Sequence, residues 1–486
     1  MIRTLLLWLT LAACGAASVF AYAPVNIVPL LPLSLAALFF AVEIAPTKRQ
    51  AALAGFVWGL GYFVGNVHWI YISLHTFGGM PAWMAAGCIL LFSAYLALFP
   101  ALAAWLSRRL PCPPRWRLPL LLPTAYIATE WLRGWLFTGF PWAATGNSQV
   151  VALAGFFPLF GVYGAGWLAA LATAQWLVNW KRGLIATAAL LLASAGLAQI
   201  AWTTPSGPKV SVSIAQGNIR QDEKWDAKHY VDALRVNLAQ VAQARGEVII
   251  LPETAIPSFY QDTPPAYLAQ LRATAREKNA ALLSGFAMSD PDPNVYYNGV
   301  LNIETPTHFY AKSHLVPFGE YVPLPWLFGW MYNYLNMPLS GFARGAAQQS
   351  PLLAGKLKIA ANVCYEDAFG DELRRNSADA GLMANFSNMA WFDGSWAAEQ
   401  HAQMSSARAL ENGRWMLRAT NTGLTAVIDQ HGRRVAQLPE RKRDVLETSV
   451  QPMSGHTPYM RWGDYPVLLA LLAVLLAAPL AGRRRS

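Results

Sequence analysis

Eight mostly apolar stretches constrain this chain more than anything else in its sequence. A bilayer span needs about 20 such residues. Stretches of that kind fall at roughly 4–22, 26–44, 52–72, 82–106, 118–138, 157–179 and 183–202, and an eighth near 465–482. Gly, Pro and aromatic residues punctuate them, as is common in membrane helices. Only 13% of the 486 residues are charged, about half the share in soluble domains. That excludes a disordered chain and argues against an ordinary cytosolic enzyme. The expectation is an integral membrane α-helical bundle of eight transmembrane helices.

The net charge of +10 resembles a nucleic-acid signal until it is located. Between Lys209 and Arg461 basic and acidic residues balance at 24 each. The surplus therefore lies among the apolar stretches, where it sets membrane orientation, and no nucleic-acid partner is expected. Arg3, Lys48, Arg49, Arg108, Arg109, Arg115, Arg117, Lys181, Arg182 and Arg483 to Arg485 make 12 basic residues on one side of the alternation, whereas the opposite short loops offer essentially Arg133. This positive-inside pattern predicts cytoplasmic termini. It divides the chain into a seven-helix bundle over 1–204, an extracytoplasmic domain over 205–462, and an eighth helix with a basic tail over 463–486. Arg3, the apolar run behind it and Leu11-Ala12-Ala13-Cys14 have the composition of a cleavable leader. Leu and Ala dominate that segment, and we read it as the first span. Glu130 and Arg133 stand three residues apart on one apolar stretch, a spacing that predicts mutual pairing on a helix.

From residue 209 the pattern changes to alternating strands and helices. Strands are predicted over 210–215, 248–251, 280–287, 297–303, 357–364, 382–385, 416–419 and 425–429, and helices over 227–244, 266–279 and 396–411. Such alternation predicts an α/β domain with helices outside a sheet.

Three places in this domain carry chemistry. Cys364 is its only Cys and ends an apolar strand ahead of Tyr365-Glu366-Asp367. Sheets of α/β proteins place active groups at such strand ends. A buried structural Cys is the alternative. Glu253 follows the apolar run Val248-Ile249-Ile250-Leu251 and Pro252, a position suited to a general base or to a plain surface turn. Lys312 lies in the aromatic stretch Phe309-Tyr310-Ala311-Lys312, where it could hold a developing oxyanion or snorkel at the surface. None of the eight His shows metal-ligand spacing, so no metal or cofactor is expected.

Glu, Lys and Cys in this order, each after a strand, resemble the nitrilase superfamily. The surrounding words are more specific. Gln216-Gly217-Asn218-Ile219, Lys224-Trp225, Leu251-Pro252-Glu253, the run from Lys312 to Glu320, Cys364-Tyr365-Glu366 and Arg418-Ala419-Thr420-Asn421-Thr422-Gly423 resemble the apolipoprotein N-acyltransferase family. The resemblance covers essentially the whole chain.

This resemblance implies an α-β-β-α sandwich domain. It implies Glu253 as general base, Lys312 as oxyanion stabiliser and Cys364 as nucleophile. Glu320 and Glu366 would support the site, Tyr365 would flank the nucleophile, and Trp225 would lie where the substrate comes in. The implied reaction moves an acyl chain from a phospholipid donor, through a Cys364 thioester, to the α-amino group of a diacylglyceryl-modified apolipoprotein. The implied location is the bacterial inner membrane, in contact with membrane lipids. Ser387-Asn388-Met389-Ala390-Trp391-Phe392-Asp393 departs from the family's usual Ser-Asn-Asp-Ala-Trp-Phe-Gly and puts that loop's contacts in doubt. The aromatic stretch 324–342 is expected to dip into the membrane interface as a lid, since Trp and Tyr favour that depth. Two other readings stay open at this point: a membrane-anchored amidase or hydrolase, and a scaffold or transporter whose domain only binds.

Overall fold

The computed structural model describes residues 2–292, 294–329 and 341–483, with the side chains of 2–4 and 483 outside that description. The chain divides into two compact units. One holds residues up to Tyr71, Pro81–Ala201 and the segment from Arg461; the other holds Ile72–Met80 and Trp202–Met460.

The first unit is helical. Its helices are α1 (Ile2–Ala17), α2 (Leu30–Ile44), α3 (Lys48–Val67), α4 (Ala82–Arg109), the single turn α5 (Pro114–Trp116), α6 (Leu122–Arg133), α7 (Phe157–Val178), α8 (Trp180–Leu197) and a C-terminal helix, Tyr465–Arg483. Each of the eight apolar stretches thus contributes helix. Among the described residues, Ala82–Arg109, Ala154–Val178 and Tyr465–Gly482 are each long and apolar enough to cross a membrane. Leu5–Ala21 and Leu30–Ile44 are shorter apolar helices. Side-chain oxygens cap two of the starts: Thr47 accepts from the Gln50 N–H, and Asn179 from the Lys181 N–H at 2.9 Å. Small residues bring helices close. A Cβ on Gly61 of α3 would lie 1.9 Å from the Ala12 carbonyl of α1.

This unit is apolar outside and buries polar groups within its apolar interior. Leu7, Leu91 and Leu192 are exposed, whereas Asn66, Ser93, Thr124, Glu130 and Thr145 are buried. Water would penalise that exterior heavily, and lipid does not; the chain is a membrane protein. Glu130 and Arg133 make the expected i,i+3 ion pair, but a long one. Their closest N···O approach is 4.0 Å. Glu130 also accepts from the Thr145 N–H at 3.0 Å and the Thr145 hydroxyl at 2.8 Å. Arg133 donates to the carbonyls of Phe140 and, at 2.9 Å, Trp142. The stretch between α6 and α7 is irregular, and buried irregular backbone needs partners that a regular helix would supply itself.

The second unit is a four-layer sandwich. A short ladder pairs β1 (Thr204–Pro205) with β14 (Met453–Ser454). One sheet has the order β13-β2-β3-β4-β5-β6: Asp444–Val450, Val210–Gln216, Val248–Leu251, Ala281–Ser289, Tyr296–Asn302 and Phe309–Ala311. The other runs β12-β11-β10-β9-β8-β7: Arg434–Gln437, Ala426–Ile428, Met416–Thr420, Leu382–Ser387, Leu357–Val363 and Leu352–Ala354. In each sheet the central pairs β2–β3–β4 and β8–β9–β10 are parallel.

Alternation along the strands builds the layers. Ile214, Ile250 and Leu283 join Ile359, Val363, Leu382 and Phe386 in a core between the sheets. Their neighbours Ala215, Ile249, Leu251 and Leu282 face outward, onto Val241 of α10 (Ala227–Gln243) and Leu268 and Leu271 of α11 (Pro265–Glu277). On the far side Ala360, Met383 and Met416 pack on Leu373 of α13 (Gly370–Ser377) and Ala409 of α14 (Ala397–Asn412). The expected strands and helices of this domain are all present within a few residues. The sequence reading missed β1, β6, β7, β12, β13 and β14. Ile72–Met80 groups with this unit, and Phe77 meets Trp391 edge-on at 5.9 Å.

Candidate active site

Glu253, Lys312 and Cys364 each follow a strand, and the three strands come from both sheets. Glu253 lies two residues beyond parallel strand β3. Its backbone passes so close to β4 that a Cβ on Gly285 would stand 2.7 Å from the Glu253 Cα; only glycine fits there. Lys312 directly follows edge strand β6, and its N–H donates to the Asn298 carbonyl at 2.8 Å. Cys364 directly follows β8 and opens a tight turn, Cys364–Ala368, with φ at +52°. A non-glycine residue rarely holds that conformation unless its surroundings impose it.

A continuous set of hydrogen bonds joins these places. Asn298 Nδ2 donates to Glu253 Oε1 at 2.7 Å and to Glu320 Oε1 at 3.0 Å. Glu320 Oε2 lies 2.8 Å from Lys312 Nζ and also accepts the Val316 N–H at 2.8 Å. Glu366 then ties the lysine segment to the cysteine turn. Its Oε1 accepts from the Ser313 N–H, the Ser313 hydroxyl and the His314 N–H at 2.7, 2.9 and 3.0 Å. Its Oε2 accepts from the Val363 N–H at 2.6 Å and the Tyr310 hydroxyl at 2.9 Å. Tyr365 is buried, edge-on to His314 and Phe369.

Burial governs the electrostatics. It pushes the Cys364 thiol up to about 12, with Glu253 adding to the rise and Lys312 opposing it. The resting sulfur is therefore a thiol that needs a base. Burial also raises Glu253 above the usual carboxylate range, against the pull of Lys312. For Lys312, burial favours the neutral amine, but Glu320, Glu253 and Cys364 together outweigh it and hold the ammonium charged. These three groups thus act on one another through low-dielectric surroundings, where charges interact strongly. A buried carboxylate within reach of a thiol can take its proton, and a fixed ammonium beside them can hold an oxyanion.

Sequence reasoning missed two residues of this cluster. Asn298 comes from β5, an ordinary strand position. Lys224 ends the short helix α9 (Gln221–Lys224), is buried, and donates from Nζ to the Thr254 hydroxyl at 2.6 Å and the Glu253 carbonyl at 3.2 Å. Burial lowers it to about 8, with Glu253 opposing. Its neighbour Trp225, the residue singled out for substrate contact, is only partly buried and caps the same short helix. Lys224-Trp225 was visible as a word; which of the two turns inward depends on the fold. In the unusual loop, Met389 is buried, Asp393 adopts φ −55° and pairs with Arg441 at 2.7 Å, and the positive φ falls on Gly394.

Of the aromatic stretch 324–342, residues 330–340, including Trp330, lie outside the described residues. Before them, α12 (Pro325–Phe328) leaves Trp326 81% exposed. After them, Phe342 is buried against Tyr296 at 5.0 Å.

A glutamate, a lysine and a cysteine at strand ends of a four-layer sandwich define a carbon–nitrogen hydrolase domain, and residues 211–459 match the carbon-nitrogen hydrolase family model. Residues 14–175 match the apolipoprotein N-acyltransferase N-terminal domain. Over 99% of its length the chain is 46% identical to the apolipoprotein N-acyltransferase of Chromobacterium violaceum, covering 95% of that protein. It is 42% identical to that of Nitrosomonas europaea, over 98% of each chain. With that of Methylococcus capsulatus it shares 41% identity over 96% of this chain and 94% of the relative. The chain belongs to the apolipoprotein N-acyltransferase family and is an acyltransferase.

Proposed function

We propose that Cys364 takes an acyl chain from a phospholipid and passes it to the α-amino group of the N-terminal diacylglyceryl-cysteine of an apolipoprotein, the last step of lipoprotein maturation. In the first half-reaction Glu253 accepts the thiol proton as sulfur attacks the ester carbonyl. A thiol held up to about 12 makes that transfer necessary, because the thiolate is the reactive form. Lys312 stabilises the tetrahedral oxyanion. Collapse breaks the ester C–O bond, the proton on Glu253 goes to the leaving alkoxide, and a lysophospholipid departs. The amine then attacks the thioester, Glu253 removes its proton, the C–S bond breaks as the amide forms, and Glu253 returns the proton to sulfur, regenerating the thiol. Two half-reactions through one acyl-enzyme give ping-pong kinetics. Glu320 fixes the lysine, Glu366 braces the turn, Tyr365 flanks the sulfur, and Trp225 lines the substrate's way in. The observation that carries this reading is the buried cluster linking Glu253, Asn298, Glu320 and Lys312 beside the sulfur.

The same reading takes 1–204 as a seven-helix bundle, 205–462 as the extracytoplasmic domain and 463–486 as the eighth span with its tail. Both termini face the cytoplasm of a bacterial inner membrane. The alternating basic loops and the apolar exterior of the helical unit support it. A membrane location suits two substrates that both carry acyl chains.

Intact mass spectrometry after incubation with phospholipid alone tests the chemistry. A fatty-acyl adduct, labile to hydroxylamine and absent from Cys364→Ala, is the expected result. Adding a diacylglyceryl peptide should move the chain to its amine. Release of free fatty acid alone would instead establish hydrolysis.

A further inference from the structure

Cys364 holds a backbone conformation that its own side chain disfavours, so something outside the turn must impose it. The carbonyl of Cys364 shows what does. It accepts from His401 Nε2 at 3.0 Å and from Asn385 Nδ2 at 3.1 Å, and both donors are buried. His401 comes from α14, outside the second sheet, and Asn385 from β9 within it.

The direction of the His401 bond follows from its other nitrogen. Arg418 Nη2 lies 3.1 Å from His401 Nδ1. A guanidinium has only donors, so Nδ1 must accept, and the ring proton sits on Nε2, facing the Cys364 carbonyl. Arg418 is itself held by Asp367 Oδ2 at 3.0 Å and contacts the Ser405 hydroxyl. Asn385 is oriented in turn: Ser387 Oγ donates to its Oδ1 at 2.6 Å, and its Nδ2 also donates to Asn362 Oδ1 at 2.5 Å.

A peptide unit is planar, with its carbonyl and the following N–H pointing in opposite directions. Two donors on the Cys364 oxygen therefore fix where the Tyr365 N–H points, and that N–H acts on the Cys364 sulfur, opposing the rise of its pKa. We infer that His401 is a positioning residue: with Asn385 it sets the plane of the Cys364–Tyr365 peptide and so aims the Tyr365 N–H at the reacting sulfur. The inference rests on the reading of Cys364 as nucleophile. It gives Arg418 a purpose beyond its ion pair, namely choosing the histidine tautomer. The charged groups facing His401 are Arg418 from β10, Asp367 from the cysteine turn and Lys312. Asp367 Oδ2 stands 3.8 Å from Nε2 and is already committed to Arg418 and Ser405. Burial first, then the Arg418 charge, hold the imidazole neutral.

The test compares His401→Leu with His401→Gln, whose amide keeps a donor near the Nε2 position. For the folded leucine variant we expect kcat to fall about 10- to 100-fold, below the cost of deleting a direct oxyanion donor, with KM within about twofold. Alkylation of Cys364 by iodoacetamide at pH 8 should slow about tenfold, because an N–H on the sulfur favours the thiolate. The glutamine variant should recover both to within about threefold. A folded leucine variant with wild-type kcat and alkylation rate overturns the inference. Histidine ¹⁵N spectra of the wild-type full chain test it independently of any variant's folding. His401 should appear as a neutral ring protonated at Nε2 from pH 6 to 9; an Nδ1-protonated or titrating ring overturns it. A wild-type protein that forms no hydroxylamine-labile adduct would instead sink the nucleophile reading itself.

Discussion

Glu366 accepts both the backbone N–H and the hydroxyl of Ser313, at 2.7 and 2.9 Å, from a position 53 residues further along the chain. Lys312 precedes one partner and Cys364 lies two residues before the other. This carboxylate therefore joins the lysine of one sheet to the cysteine of the other, and its five donors explain why a buried charge is tolerated there.

Replacing that charge with an amide tests the brace. Glu366→Gln keeps the shape but turns an NH₂ toward N–H and O–H donors whichever way it sits. At least two donors lose their acceptor, at about 1–3 kcal/mol each. The thermal midpoint in detergent should drop accordingly, and the folded fraction should acylate Cys364 slowly. A variant as stable as the parent would remove the bracing role.

Lys224 should tune the base. The proposed reaction needs Glu253 ionised, and burial has raised its pKa, so activity should be lost as pH falls through that raised value. The Lys224 charge pulls it down. In Lys224→Met the acid limb of log kcat/KM should move up by about one pH unit. The loss at pH 6 should then exceed the loss at pH 8. An equal loss at both would assign Lys224 to structure alone.

Trp326 stands exposed on α12. If this segment touches lipid, Trp326→Ser should raise KM for phospholipid severalfold and leave alkylation of Cys364 by a small water-soluble reagent unchanged. An equal effect on both would sink the interfacial role.

In the helical unit, Glu130 and Arg133 serve different atoms of the same irregular stretch. Glu130→Ala and Arg133→Met should each destabilise, by about 2–5 kcal/mol. Their effects should add to within about 1 kcal/mol, because their direct contact is a long 4.0 Å. Strong coupling in a double-mutant cycle would instead make the ion pair the larger contribution.

The strands β2, β3, β8 and β9 were legible as short apolar runs, and their ends drew attention to Glu253 and Cys364. β13 was not. It joins the first sheet by pairing with β2, 228 to 240 residues away along the chain, and half-exposed strands of that kind leave a faint local pattern. Asn298, Lys224 and His401 were hidden for a related reason. Each is an ordinary residue within its own element, and its importance arises from contacts 45, 29 and 37 residues away in sequence.

Apolar length, the placement of basic loops and strand alternation act locally, so the sequence alone determined a membrane chain, an α/β domain and three chemically plausible strand ends. Tertiary structure alone decided that Glu253, Asn298, Glu320 and Lys312 share one buried network and that the Cys364 carbonyl meets two donors. It also decided that Glu130 and Arg133, beyond their long ion pair, bond to the loop that follows them. Those outcomes depend on which distant groups must satisfy one another once water is gone, and no local pattern records that.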